Sequence, residues 1–363
     1  MTPVYLNQVH LQCALGNKLS DAAACYRLGE TPQLQPGSDA VPAGFFAVPG
    51  TAPALDFRLH QLLRNTLQAA GLNAADCLLL VASTALNVSL LEQRLQQGEK
   101  LTIDILPAFD DFAADINAEF NFAAIRIINT ACTSAANALL YGQRMVHAGL
   151  YQHVLVLAFE PPGEITRAGF SALELSSQSG LYRPFHPQRD GLILGEAYAT
   201  AILSRTADKT TLAVLLGGYS ACDTHNITTT AEDGSHIATV MLQALQQAAL
   251  QSSDVALLKL HGTATAANDS AEHNGVMQIF GQALPALTVL KPYLGHTLGA
   301  CGLAELALLF SSLQQGALPA LPYADNASLP FSGSEQAVAP QAVVMANFFG
   351  FGGNNASLLL RRC

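Results

Sequence analysis

IINTACTSAANALLYGQRMVHAG, residues 127–149, holds the change of rhythm on which the reading of this chain turns. An apolar run (Ile125, Ile127, Ile128) passes through Asn129 and Thr130 into an unbroken row of small and apolar residues ending at Gly149. This is the pattern of a buried strand feeding a helix. It places Cys132 at or near the helix N-terminus. There, unpaired N–H groups and the helix dipole favour a thiolate, lower the thiol pKa and offer a seat for an oxyanion. The Ala and Ser neighbours suit the helix to deep burial. Read alone, the segment fits a small core cysteine equally well, since cysteine is commonly buried.

The same alternation extends in both directions. Segment 55–70 has helical spacing and ends at Gly71, a C-cap residue. Short apolar runs at 77–83 and 153–159 read as buried strands on either side of the 134–149 helix. In the second half, strand-like runs fall at 212–219, 256–261 and 342–348, and helical stretches at 235–250 and 299–314. The Pro/Gly-rich stretch 31–53 reads as a surface loop. Strands alternating with helices predict an α/β architecture with mostly buried sheets. The polar segment 205–211 divides the chain into two halves of similar rhythm, 1–207 and 208–363, the first with Cys132 and the second with two histidine motifs.

Composition narrows the function. Of 363 residues, 50% are hydrophobic and 12% charged, which allows a large core and excludes a disordered chain. The net charge of −10 argues against a nucleic-acid binder. Seven cysteines without CxxC or Cys/His zinc spacing predict no disulfide framework, no metal and a reducing, cytoplasmic setting. No apolar stretch is long enough to span a membrane, and MTPVYLNQVH lacks the pattern of a signal peptide.

Three further segments carry candidate chemistry. KLHGTAT, 259–265, ends a strand-like run in His261-Gly262, with Thr263 and Thr265 following; Asn268, Asp269 or Ser270 caps the next helix. Taken alone, His261 reads as a hydrogen-bonded core histidine. KPYLGHTLGACGLAE, 291–305, brings Lys291, His296 and Glu305 together, and the apolar flank implies a buried Lys291–Glu305 pair. NFFGFGGNNASLLL, 347–360, sets Phe349 and Phe351 among Gly350, Gly352 and Gly353, which suit a tight turn with positive φ; Phe351 there gates a cleft with its N–H pointing inward. A ligand-free glycine hairpin explains this last segment as well. None of these glycines forms a phosphate loop.

In order, TACTSA, HGTAT, KPYLGHTLGA and FGFGGNN resemble the motifs of the β-ketoacyl synthase family, and PFHPQRDGLILGEA (184–197) resembles the stretch joining that family's halves. The resemblance covers 129–355 and is weak before residue 120. It implies a thiolase-like, five-layer αβαβα fold built from two similar halves, and an obligate homodimer or a heterodimer with a second ketosynthase-like chain. It implies decarboxylative Claisen condensation, with substrates on the phosphopantetheine of an acyl carrier protein and no added cofactor. Cys132 would carry the acyl group, and His261 and His296 would hydrogen-bond the extender thioester. Lys291 with Glu305 would orient the site. Backbone N–H groups of Cys132 and Phe351 would hold the oxyanion, in a gating loop that includes Phe349 and Gly350. Thr263 and Thr265 would contact the pantetheine arm. An acidic carrier implies a basic patch, drawn from Arg58, Arg64, Arg126 and Arg144.

The chain departs from the family's usual pattern at Thr133-Ser134-Ala135, Phe185-His186 and Ala197, and it is short before residue 125. These changes are similar to the type II polyketide and aryl polyene branches. The alternatives are a chain-length-factor-like partner subunit, a coenzyme A-dependent thiolase or starter enzyme, and a binding module. Partners of the first kind usually lack the nucleophile, the second kind carries a different residue set, and the third leaves four ordered motifs unexplained.

Overall fold

The computed structural model describes residues 3–363 apart from 40, 52, 87, 97, 101–108 and 227–229. Ten strands form one sheet: β1 (Val4–Cys13), β2 (Cys77–Ala82), β3 (Ala124–Ile128), β4 (His153–Glu160), β5 (Ala197–Ser204), β6 (Ala213–Cys222), β7 (Val255–Lys259), β8 (Ala286–Thr288), β9 (Val343–Phe349) and β10 (Asn354–Arg362). Across the sheet the order is β8-β7-β9-β10-β6-β1-β5-β4-β2-β3. Each set of five reads, from its outer edge inward, third, second, fourth, fifth, first. The directions repeat too. In each half the three outer strands are parallel and the inner two antiparallel to their neighbours. β1 and β6 join the halves through only Val4–Leu6 and Ala213–Leu215.

The strands are buried on both faces, and their two-residue period sorts side chains into separate cores. On β2, Leu78, Leu80 and Ala82 face a central core, whereas Cys77, Leu79 and Val81 face an outer one. On β9, Val344, Ala346 and Phe348 face the same central core and Met345 faces the opposite outer one. Helix α1 (Leu55–Ala70) supplies Leu59 and Leu63 to the first outer core, closing at Gly71 with φ 63°. Helices α2 (Ser134–His147) and α6 (Cys301–Gln314) fill the centre, between the halves. Helices α4 (Ser235–Ala248) and α5 (Ala266–Phe280), which follow α3 (Glu164–Ala172), cover the other outer face. The result is the five-layer αβαβα arrangement. Helix α6 is buried around its whole circumference from Cys301 to Leu313, so it cannot show a one-sided apolar stripe.

The predicted strands and helices are present, with ends shifted by up to three residues. Stretch 31–53 differs from its reading as a surface loop. Phe45–Phe46 pairs with Leu34–Gln35 and Leu194–Gly195, and Val41, Phe46 and Val48 are buried. No helix among the described residues is long and apolar enough to cross a membrane.

At the centre the two buried helices touch tip to tip. A Cβ on Gly302 would lie 2.2 Å from the backbone nitrogen of Ala136. Only movement of a helix would relieve that contact, so Gly302→Ala is expected to cost about 1–3 kcal/mol. A fall in the urea midpoint with an unchanged m-value checks it.

Candidate active site

Cys132 lies two residues before α2, after Ala131, whose φ is 51°. That left-handed turn is unusual for a residue with a Cβ. It is pinned by the Thr133 hydroxyl donating to the Thr130 carbonyl (2.7 Å) and the Ser134 hydroxyl donating to the Ala131 carbonyl (2.6 Å). The sharp reversal ends β3, starts α2 and turns the sulfur into a cavity of about 400 Å³. His261, His296, Thr263, Thr265, Phe349, Gly350 and Phe351 line the same cavity. The imidazoles of His261 and His296 are edge to face, with centroids 5.4 Å apart. These residues share one cavity although they lie up to 219 positions apart in the chain.

The two histidine loops are held by buried carboxylates on backbone N–H groups. Glu272 of α5 accepts from His261 (2.7 Å) and Gly262 (2.9 Å). Asp269 accepts from Thr263 (3.0 Å), Ala264 (3.2 Å) and Phe185 (2.7 Å). Asp269 is therefore not the cap of α5, a position held by Thr265; its side chain reaches back to fix the loop before the helix. Glu160, at the end of β4, accepts from Thr84 (3.0 Å), Ala85 (3.0 Å) and Gly299 (2.9 Å), tying the turn before α6 to the first half. Burial pushes the Glu160 and Glu272 carboxyls up to about 7 and that of Asp269 up to about 6.

Lys291 and Glu305 form the expected buried pair, Nζ to Oε1 2.7 Å. Lys291 Nζ also lies 3.2 Å from His261 Nδ1. An ammonium has only donors, so Nδ1 accepts and the His261 proton sits on Nε2. Burial, then the Lys291 charge, hold both histidines well below the usual imidazole range, so both are neutral near pH 7. A second lysine, Lys259, pairs with the other oxygen of Glu305. A lone Lys in an apolar strand has no spacing that marks it, so nothing in the sequence singles it out.

The thiol of Cys132 corrects an expectation. The Lys291 charge and the Phe351 N–H, which reaches the sulfur, both favour the thiolate. Desolvation outweighs them and pushes the thiol up to about 12. In the free protein, alkylation of Cys132 by iodoacetamide is therefore expected to speed up with pH beyond 9 without levelling near 7; peptide mass spectrometry over a pH series checks this.

Gly352 (φ 72°) and Gly353 (φ 74°) take the predicted positive φ, but Gly350 (φ −130°) is extended. The Phe351 ring stacks on Phe170 of α3, centroids 5.4 Å apart. Thr263 and Thr265 share a hydroxyl–hydroxyl bond of 2.8 Å at the cavity wall. Arg58 cannot belong to an external basic patch. It is buried against Glu196 at 2.8 Å and over the Tyr198 ring. Arg64, Arg126 and Arg144 do not line the cavity, whereas Arg189, from the 184–197 segment, does. Among the described residues no group of three or more His, Cys, Asp or Glu is placed to hold a metal ion.

Two family models match the chain in succession: beta-ketoacyl synthase N-terminal domain over 36–209 and beta-ketoacyl synthase C-terminal domain over 212–324. The chain belongs to the β-ketoacyl synthase family. Within that family it is 30% identical over 254 residues to 3-oxoacyl-[acyl-carrier-protein] synthase 2 of Rhizobium meliloti, a match covering 64% of this chain and 59% of that one. It is 29% identical over 258 residues to the tetracenomycin polyketide synthase ketoacyl synthase alpha subunit of Streptomyces glaucescens, covering 66% and 60%. The chain thus spans about 60% of the length of the curated relatives it matches. Among solved structures, this β-ketoacyl synthase family member superposes with TM-score 0.84 and 25% identity on a chain of the Xenorhabdus doucetiae ketosynthase (ApeO) in complex with its chain length factor (ApeC), over 100% of this chain and 98% of that chain. A β-ketoacyl synthase from Burkholderia phymatum gives TM-score 0.85 at 23% identity, covering 100% of both chains. The thiolase-like fold expected from the motifs is the fold observed.

Proposed function

We propose that this chain is a β-ketoacyl-[acyl carrier protein] synthase, condensing an acyl group on Cys132 with a malonyl unit on a carrier protein, in fatty acid or polyketide synthesis. The observation that carries this reading is the convergence of Cys132, His261 and His296 on one cavity. The sulfur attacks the acyl thioester carbonyl. Because burial disfavours a free thiolate, its proton leaves as the carbon–sulfur bond forms and ends on the departing pantetheine sulfur. The N–H groups of Cys132 and Phe351 hold the oxyanion.

The malonyl thioester then takes the arm's place beside Thr263 and Thr265. The Nε2–H of His261, with His296, hydrogen-bonds its carbonyl oxygen as the carbon–carbon bond to carboxylate breaks, releasing CO₂ and leaving an enolate. The enolate carbon attacks the acyl-Cys132 carbonyl; the new carbon–carbon bond forms, the thioester bond to Cys132 breaks, and the released sulfur takes up a proton from water to return as the thiol. Burial, reinforced by the charge of Lys291 that Glu305 holds in place, keeps both imidazoles neutral as donors to the enolate oxygen. No further cofactor enters the scheme.

The halves divide at 207/208, and the enzyme works in the cytosol as a homodimer or paired with a second ketosynthase-like chain. The Xenorhabdus doucetiae ketosynthase, solved in complex with its chain length factor, supports the paired arrangement. Mass spectrometry after exposure to a panel of acyl-carrier proteins tests the reading. A mass gain on Cys132 equal to one acyl group is expected. No acylation with any carrier, while a co-purified second chain becomes acylated, would reassign this one as a partner subunit.

A further inference from the structure

Two buried ammonium groups share one carboxylate beneath the His261 loop. Lys259 is the last residue of β7 and is wholly buried. On that strand Leu257 faces the central core, and Leu258 and the following Leu260 face the outer one. The two-residue period therefore sends Lys259 inward with Leu257, toward Glu305 of α6. Lys259 Nζ pairs with Glu305 Oε2, donates to the Asn347 carbonyl (2.8 Å) and lies 3.7 Å above the Phe348 ring. Lys291 Nζ takes Oε1 and extends to His261 Nδ1.

A carboxylate with both oxygens free would draw a neighbouring ammonium between them, because each charge-assisted bond is strong. Lys259 occupies one oxygen, so Lys291 is limited to the other and keeps an N–H for the imidazole. We propose that Lys259 is a positioning residue: by sharing Glu305 it holds Lys291 on His261 Nδ1 and so fixes the Nε2–H tautomer. The charged and titratable groups bearing on His261 are Lys291 and Lys259, His296 across the cavity, Glu305 behind Lys291, and Glu272 on its backbone N–H. Glu272 touches only the main chain, which leaves the Lys259–Glu305–Lys291 chain to decide the ring's proton.

The kinetic arm of the test rests on the condensing reading; the spectroscopic arm does not. In ¹⁵N-histidine-labelled protein, with His261 signals assigned through His261→Asn, the wild type is expected to show the Nε2–H shift pattern. Lys259→Met moves it toward the Nδ1–H pattern and lowers malonyl-carrier decarboxylation by about tenfold or more, with acyl transfer to Cys132 largely retained. Lys259→Gln, which still offers an N–H to Glu305, restores the wild-type pattern and serves if the Met variant fails to fold. An unchanged His261 pattern in a folded variant lacking Lys259, or a parallel fall in both half-reactions, overturns the proposal. Should the shifts respond as expected in a protein that decarboxylates nothing, the wiring stands and the condensing reading falls.

Discussion

Cys132→Ala is expected to abolish condensation, by at least about four orders of magnitude, because the sole acceptor for the acyl group is removed. The fold should persist. The side chain is small, the turn around it is held by Thr130, Thr133 and Ser134, and the Cys301 thiol donates to the backbone carbonyl of residue 132, which any substitution keeps. The two half-reactions should separate. Decarboxylation of a malonyl-carrier substrate survives, since His261, His296 and Lys291 are untouched, whereas acyl transfer disappears. Release of labelled CO₂ without formation of a β-ketoacyl product is the measurement. Undiminished condensation in this variant would mean that the sulfur is not the acyl carrier.

Glu305→Leu has the largest expected effect on stability. It leaves Lys259 and Lys291 without their shared anion in a site closed to water, and breaking a buried ion pair from one side costs about 3–5 kcal/mol. The pH dependence gives a signature that lost packing would not. Burial holds Lys259 below the usual lysine range, whereas the Glu305 charge outweighs burial at Lys291 and holds it above; removing the carboxylate leaves burial unopposed and lowers both. A group with a depressed amine pKa folds best when neutral, so the deficit is greatest below the folded pKa and shrinks as pH rises through it. Denaturant midpoints of variant and wild type should therefore diverge at pH 6 and draw closer at pH 9. A deficit independent of pH would place the loss in packing instead.

How far the sequence could be read follows from what each residue depends on. The turn that carries Cys132 is legible because a strand, a small-residue helix and a cysteine meet within a few positions. The pair Lys291–Glu305 was legible because fourteen residues separate them across one turn and one helix. Strands β1, β5 and β8 were not distinguished, since apolar runs such as Ala197–Ser204 mix small and polar residues and have no period that separates strand from helix. Lys259 and Arg58 show the other failure. A charge in an apolar segment reads as a surface residue until its partner, 46 or 138 positions away, is known. The Cys132 thiol shows a third. Helix position is local and visible, but the desolvation that opposes it comes from the whole surrounding protein.

The seam between β1 and β6 is only three residue pairs wide, and the sulfur and the imidazoles arrive from opposite sides of it. Reactivity therefore acts as a gauge of how accurately the two repeats are registered. A slight slip between them, too small to expose any apolar surface, would separate donor from acceptor, so turnover should decline on warming before any loss of secondary structure is seen.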